Sequence, residues 1–293
     1  GFIMRINTNV ASMNAQEAAQ NVNKNLNASL EKLSSGLRIN KASDDASGLA
    51  IADKLRTQAS SIGQAISNGN SAVSLTQIAD KAMAEQSNIL DIVKQKLLQA
   101  STATTSSAGR TAIAKDIDKL LNQLNNIAVQ TNYNGINLLQ GDTEVNSTAS
   151  ASVNTFQMGE TKDNTIATAS GIRANTDGLG LTDDLKSKVS GATAAAAFTQ
   201  DFAQTALELV DTALDTLNGW RSDFGSTQNQ LESAIRNMAT QQTNIKAAES
   251  VIRDVDYASE SANFNKQNII AQAGTYAMSQ ANTIQQNVLR LLQ

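Results

Sequence analysis

The chain has 293 residues, room for about two domains at roughly 150 each, yet aromatics are only 3% of it and proline is absent. It has no His and no Cys, which excludes imidazole bases, serine–histidine triads, thiolate nucleophiles, iron–sulfur clusters and disulfides. Its net charge of −4, from 23 basic and 27 acidic residues, argues against nucleic acid, which needs a basic stripe. No apolar run approaches the roughly 18 residues of a membrane span, so no membrane insertion is expected. The 41% hydrophobic share rests on Ala, Leu, Ile and Val without any proline to interrupt a helix, and the expectation is an elongated helical protein.

The first segment, to about Gly36, carries Val22, Leu26, Leu30, Leu33 and Leu37 at spacings of three and four, a narrow helical stripe among amides and small residues. Gly36 suits a helix stop, and Ser43, Asp44 and Asp45 suit a new start. From about Asp45 to Ala100 the pattern is helical again, with Leu55, Ala59, Ile62 and Ile66 on one face. SNGNS at 67–71 is its weak point, because Asn and Gly have poor helix propensity. STATTSSAG at 101–109 predicts a polar loop. Beyond it Ile113, Ile117, Leu120, Leu124 and Ile127 form a helical seam that ends at the tight-turn signal Asn134-Gly135. Two such helices joined by a short loop predict an antiparallel pair.

The middle, about 136–195, is rich in Thr, Ser, Gly and Asn. Its short strand-like pieces VNTFQM and NTIATAS predict a small β-hairpin or irregular cap, too poor in large apolar residues for a core of its own. In the final third, steps of seven from Val210 give Leu217, Phe224, Leu231, Met238, Ile245 and Ile252, all apolar. The companion row from Leu207 (Leu214, Arg221, Gln228, Ile235, Gln242, Glu249) is mixed, as in a coiled-coil seam whose polar interruptions fix register. After the SESANF break the seam resumes through Ile270, Ala273, Ala277, Ala281, Ile284, Val288 and Leu291. Narrow stripes reaching both ends bury too little in one molecule to offset the entropy of ordering. The two ends are expected to pair with each other and with other copies.

Several isolated signals have modest readings. TDGLG at 176–180 lacks both GxGxxG and a following GK[ST], and predicts a turn. Asp44-Asp45 and Asp183-Asp184 stand at helix starts, where capping and dipole roles outweigh metal or acid–base roles. Arg38, Arg56 and Arg110 are read as structural ion-pair partners, and Trp220 as a packing residue.

The motifs RINTNVASMNA, LEKLSSGLRINKASDDASGLAIADKLRTQ, TNYNGINLL, FQMG, WRSDFGSTQNQLESAI, IRDVDYASESANFNKQNIIAQAG and QANTIQQNVLRLLQ closely resemble bacterial flagellin along nearly the whole chain. The resemblance implies a mainly α, elongated antiparallel bundle with paired N- and C-terminal segments. It implies a non-enzymatic structural subunit without cofactors or metals, polymerising into the flagellar filament. Residues 1–44 and 256–293 would form an inner layer, and 45–255 an outer one including the small insertion. Implied partners are further copies of itself, an export chaperone on the C-terminal helix, a distal cap and hook-junction proteins. Export through the flagellum's own apparatus agrees with an N-terminus, GFIMRINTNVASMNAQ, that lacks the basic and apolar parts of a cleaved signal. A hook–filament junction protein, which shares terminal motifs, is the alternative; a helical signalling scaffold is a more distant one. FQMG and the IRDVDYA region favour the filament subunit.

Two further implications concern the surface. Flagellins recognised by vertebrate Toll-like receptor 5 typically carry LQRVRELAVQ before the polar loop, whereas this chain reads LDIVKQKLLQ at 90–99. Ile92 and Lys94 replace the two arginines and Gln95 the glutamate, as in the Campylobacter and Helicobacter group. Gln285, where many flagellins have proline, and the NVLRLLQ ending fit that group too. The expectation is weak or absent receptor activation, since neither Ile nor Lys reproduces an arginine fork. The same group makes O-glycosylation a reading for the Ser/Thr-rich middle, with candidates Ser147, Thr148, Ser150, Ser152, Thr161, Thr165, Thr168 and Ser170.

Overall fold

The computed structural model describes residues 6–191 and 194–293. Arg5 of the RINTNVASMNA motif, with the other residues of the first five, lies outside them. The chain divides into two compact units: Gly1–Ala59 with Thr243–Gln293, and Ser60–Gln242. Both boundaries fall inside long helices, α2 (Ala46–Ala100) and α6 (Gln200–Arg253). The expected limits at 44/45 and 255/256 fall instead at the breaks between helices.

In the first unit, α1 (Val10–Ser35) runs antiparallel to α7 (Tyr257–Leu292). Asn9 caps α1 by accepting from Ser12 N, and its Nδ2 donates to Ala281 O at 3.3 Å. Ser12 Oγ donates to Asn282 Oδ1 at 3.1 Å, Ser29 Oγ to Glu260 Oε1, and Tyr257 Oη to Leu33 O at 3.0 Å. Partners thus rise along α1 as they fall along α7. Ala15, Ala19, Val22, Leu26, Ser29 and Leu33 are the shielded positions of α1. Phe264, Ala271, Met278 and Gln285, beside Gln267, Gly274, Ala281 and Val288, are those of α7. Both sets keep the three-and-four spacing of a coiled coil, but small and amide side chains alternate with Val22, Leu26, Leu33, Phe264, Met278 and Val288. Ser29, at 2% exposure, is the one fully buried residue of α1, and α7 has none. This seam is therefore thin.

Gly36 ends α1 in the left-handed conformation, φ +75°, where a side chain would be strained. The chain then meets the α6–α7 connection. Leu37 bridges Asp254, Arg38 N donates to Arg253 O at 2.5 Å, and Val255 N donates to Gly36 O at 3.0 Å. The Arg38 guanidinium donates to Ile252 O through Nε at 3.2 Å and through its terminal nitrogen at 2.6 Å. Ile39 is fully buried beneath this elbow. Asp44 Oδ2 accepts from Asn40 N at 3.0 Å and Lys41 N at 3.1 Å. The Asn40 amide, then the Lys41 amide and the charges of Lys32 and Lys41, hold the Asp44 carboxyl below its ordinary 3.8, against a smaller opposing effect of desolvation. A lowered folded-state pKa contributes stability above the unfolded value, and that stability is lost as pH falls through the folded value. Below about pH 4, protection of the Asn40 and Lys41 amides relative to their intrinsic exchange rates is therefore expected to fall in the wild type. In Asp44→Ala it is expected to be low already at neutral pH.

The second unit is a bundle of three long helices with a cap of two hairpins and short helical turns. Helix α2 runs antiparallel to α3 (Ser107–Gln130) and to α6, as the ion pairs Lys96–Asp116 (3.3 Å), Lys94–Asp211 (2.6 Å) and Arg221–Asp80 (3.1 Å) record. SNGNS does not interrupt α2. Gly69 is buried there, and a Cβ on it would stand 2.8 Å from both Ile235 Cγ1 and Met158 Cε. Its missing side chain lets the helix pass. Ser106 caps α3 through Gly109 N, so the expected loop narrows to 101–106.

Strands β1 (Asn132–Tyr133) and β2 (Ile136–Asn137) pair across Asn134-Gly135, with φ of +50° and +82°. Both positive φ values fit the type I′ turn that Asn-Gly favours. Strands β3 (Thr155–Gln157) and β4 (Thr165–Ala167) form a second hairpin. A five-residue π-helical turn (Thr182–Lys186), α4 (Ser187–Val189) and α5 (Ala194–Ala197) lead into α6. This region builds no core of its own; it adds Leu138, Leu139, Ile172, Leu179, Leu181, Leu185 and Val189 to the buried cluster of the helices. Amides fix it there. Gln86 Nε2 donates to Leu124 O (3.1 Å) and Ala174 O (2.7 Å), Asn125 accepts from Thr176 N (2.9 Å), and Asn175 Nδ2 donates to Gln140 Oε1 (2.9 Å).

Candidate assembly surfaces

The working parts of this chain are faces of helices. In the row of seven-residue steps along α6, Val210, Leu217, Phe224, Leu231 and Met238 are buried in the second unit. Ile245 and Ile252, in the first unit, are half-covered. In α1, Leu26 and Leu33 face α7 and Leu37 enters the elbow, whereas Leu30 points outward at 52% exposure.

The C-terminal row differs from expectation. Val288 is half-covered against α1, but Ile284 and Leu291 are 60% and 84% exposed. With Ile269, Ile270 and Tyr276 they form a second apolar face of α7, about one residue round the helix from the seam. Helix α7 thus has two rows: a mixed row from Phe264 to Val288 that pairs with α1, and a row of large apolar residues that none of the described residues buries. An isolated exposed Ile is unremarkable, but five large apolar side chains on one side of α7 between Ile269 and Leu291, interspersed with Ala273, Ala277, Gln280 and Thr283, are a candidate interaction surface.

The charged residues are accounted for structurally. Asp45 accepts from Gly48 N at 2.8 Å and stands 3.9 Å from Arg38. Arg56 pairs with Asp53 at 3.7 Å, and Arg253 reaches the same carboxylate at 3.4 Å. Arg110 donates to Thr105 O at 2.9 Å. Asp183 and Asp184 lie in the first turn of the π-helical segment, and Trp220 packs against the core. In the TDGLG turn, a Cβ on Gly178 would fall 1.9 Å from Arg173 O. Among the described residues no group of three His, Cys, Asp or Glu is placed to hold a metal. No helix there is long and apolar enough to cross a membrane.

At the surface segments, Ile92 and Gln95 are exposed on α2 and Lys94 is tied to Asp211. Of the candidate glycan acceptors, Thr148, Ser150, Ser152, Thr161, Thr165 and Ser170 are exposed. Ser147 and Thr168 are buried, their hydroxyls accepting from Ala149 N at 3.1 Å and Asn154 N at 2.9 Å. A glycosyltransferase cannot reach these two in the folded chain. A cleft of about 360 Å³ opens where α2 meets both hairpins, lined by Leu75, Tyr133, Ile136, Phe156 and neutral polar residues.

A mainly helical chain with paired terminal helices, an exposed apolar row on α7 and, among the described residues, no metal-binding cluster has the features of a self-assembling structural subunit. The family comparisons agree. Residues 6–144 match the bacterial flagellin N-terminal helical region and 207–292 the bacterial flagellin C-terminal helical region. The chain belongs to the flagellin family. It is 37% identical to the flagellin of Bacillus subtilis strain 168, over 99% of this chain and all of that one. It is 35% identical to the flagellar filament 30.7 kDa core protein of Treponema maltophilum, with the same coverage. Flagellin A of Helicobacter pylori is 28% identical over 98% of this chain and 99% of its own. That alignment runs to 506 positions because the relative carries additional sequence. As a flagellin, the chain is a structural subunit of the flagellar filament and polymerises with itself.

Proposed function

We propose that the paired terminal helices are the assembly code of the filament. On this reading residues 1–44 and 256–293 form the inner layer and 45–255 the outer one, with 136–195 as a short surface insertion. The carrying observation is the apolar face of α7, Ile269, Ile270, Tyr276, Ile284 and Leu291, which the intramolecular seam leaves uncovered. Two faces at different angles on one helix suit a lattice, since one closes the subunit and the other meets a neighbour. The role is mechanical and needs no enzymatic chemistry. An export chaperone would cover the α7 face before secretion to the cell exterior, and cap and hook-junction proteins would meet the same terminal helices.

The test is seeded elongation followed by electron microscopy, with the full chain beside one lacking residues 1–40 and 260–293. Hollow filaments from the first and monomers from the second are expected. Monomers from both, where an authentic flagellin elongates, would overturn the reading.

The reading extends to two surface properties. Exposed Ile92 and Gln95, with Lys94 held by Asp211, offer no guanidinium fork and no acid to the receptor, which supports weak recognition by Toll-like receptor 5. In a receptor reporter assay, monomer of this chain is expected to be silent at doses where Ile92→Arg/Lys94→Arg/Gln95→Glu signals. Full activation by the unchanged chain would contradict this. The exposed hydroxyls at Thr148, Ser150, Ser152, Thr161, Thr165 and Ser170 are the glycan acceptors this reading retains.

A further inference from the structure

We infer that Asn134 is a site of spontaneous backbone modification, deamidating through a succinimide, and that this marks old subunits at the β1–β2 hairpin. The chain holds three Asn-Gly steps: Asn68-Gly69, Asn134-Gly135 and Asn218-Gly219. The reaction needs the glycine nitrogen to reach the Asn side-chain carbonyl, and so needs freedom at the Asn backbone. The first and third steps lie inside α2 and α6, where helical geometry commits each glycine N–H to the i−4 carbonyl. Asn68 is tied further, since its Nδ2 donates to Gln157 O at 3.0 Å and its Oδ1 accepts from Gln64. Asn134 and Gly135 are instead the exposed tip of a hairpin with two residues in each strand. A Cβ built on Gly135 meets nothing within 4 Å, so no other element crowds the turn.

The hairpin resists only weakly. Gly135 N donates to the exposed Asn132 Oδ1 at 3.2 Å, and Leu138 N to Thr131 O at 3.4 Å. A hairpin this short opens locally far more often than a long helix, and each opening frees Asn134 to reach the reactive geometry. In the reaction the Gly135 nitrogen loses its proton and bonds to Asn134 Cγ. The Cγ–Nδ2 bond breaks, and the side-chain nitrogen leaves as ammonia with that proton. Water then opens the five-membered imide at either carbonyl, leaving aspartate or, with the main chain rerouted through the side chain, isoaspartate. The net change is amide plus water to carboxylate plus ammonium, and no other reactant is required.

The isoaspartyl product adds a backbone atom to a two-residue turn whose type I′ geometry has no room for it. Tyr133 and Ile136, which flank the turn and line the cleft beside α2, would lose their register.

The test is to age the purified full chain under native conditions and, in parallel, in denaturant. Peptide mass spectrometry then locates each gain of about 1 Da, and an isoaspartyl methyltransferase labels the rearranged product. Native chain is expected to react about tenfold faster at Asn134 than at Asn68 or Asn218, with all three comparable in denaturant. Asn134→Gln should remove most of the native label. Equal native rates at the three sites, or no reaction at Asn134 in native chain while the denatured chain reacts, would overturn the inference.

Discussion

Ile270→Asp/Ile284→Asp is expected to abolish seeded elongation while the monomer keeps its helical circular dichroism. Neither residue is buried within the chain, Ile284 being 60% and Ile270 38% exposed, so the monomer loses only the partial cover each already has. In an assembled lattice the still-exposed parts of the two isoleucines would together contribute about 1.5–3 kcal/mol on burial. A carboxylate in its place must be desolvated without a partner, which costs more. At 1.4 kcal/mol per factor of ten, the critical concentration should rise at least about a hundredfold, by sedimentation of polymer from monomer. An unchanged critical concentration would mean that the α7 face meets solvent in the filament.

Leu217→Ala should produce a large loss of stability, and Ile252→Ala a much smaller one, although both belong to one seven-residue row. Leu217 is fully buried in the cluster of the second unit, so its truncation leaves a cavity costing about 2–5 kcal/mol. Ile252 is half-covered, and removing its outer carbons should cost about 1 kcal/mol. Urea unfolding followed at Trp220, which packs on the same cluster, reports the first loss directly. Equal losses would contradict the burial gradient along α6.

Signals that act through nearby residues were legible in the sequence. Gly36 stops α1, Asn134-Gly135 makes a two-residue turn, and Val210 to Met238 are buried in the order their spacing implies. Where the outcome depended on a distant partner, spacing was insufficient. The row Ile270, Ile284 and Leu291 has helical periodicity as good as its neighbour's, but periodicity does not say which row meets α1. The row that meets α1 combines small Ala271, Gly274 and Ala281 with Phe264, Met278 and Val288, a mixture that spacing alone does not single out. SNGNS has the composition of a break, yet Ile235 and Met158 occupy the space its glycine leaves. Asn125, Gln140, Asn175 and Thr176 have the composition of surface loops, and only the fold shows them buried and bonded to one another. Of the candidate acceptors, Ser147 and Thr168 are withdrawn for the same reason: the Ser147 hydroxyl is engaged by a local turn and that of Thr168 across the hairpin by Asn154 N, neither of which composition reveals.

The most direct measurement is a helical reconstruction of the filament at side-chain resolution. The account predicts Ile269, Ile270, Tyr276, Ile284 and Leu291 buried against neighbouring copies, with the Ser12–Asn282 and Ser29–Glu260 contacts intact within each subunit. An α7 whose large apolar row lines the open channel, with subunits held instead through the second unit alone, would contradict it.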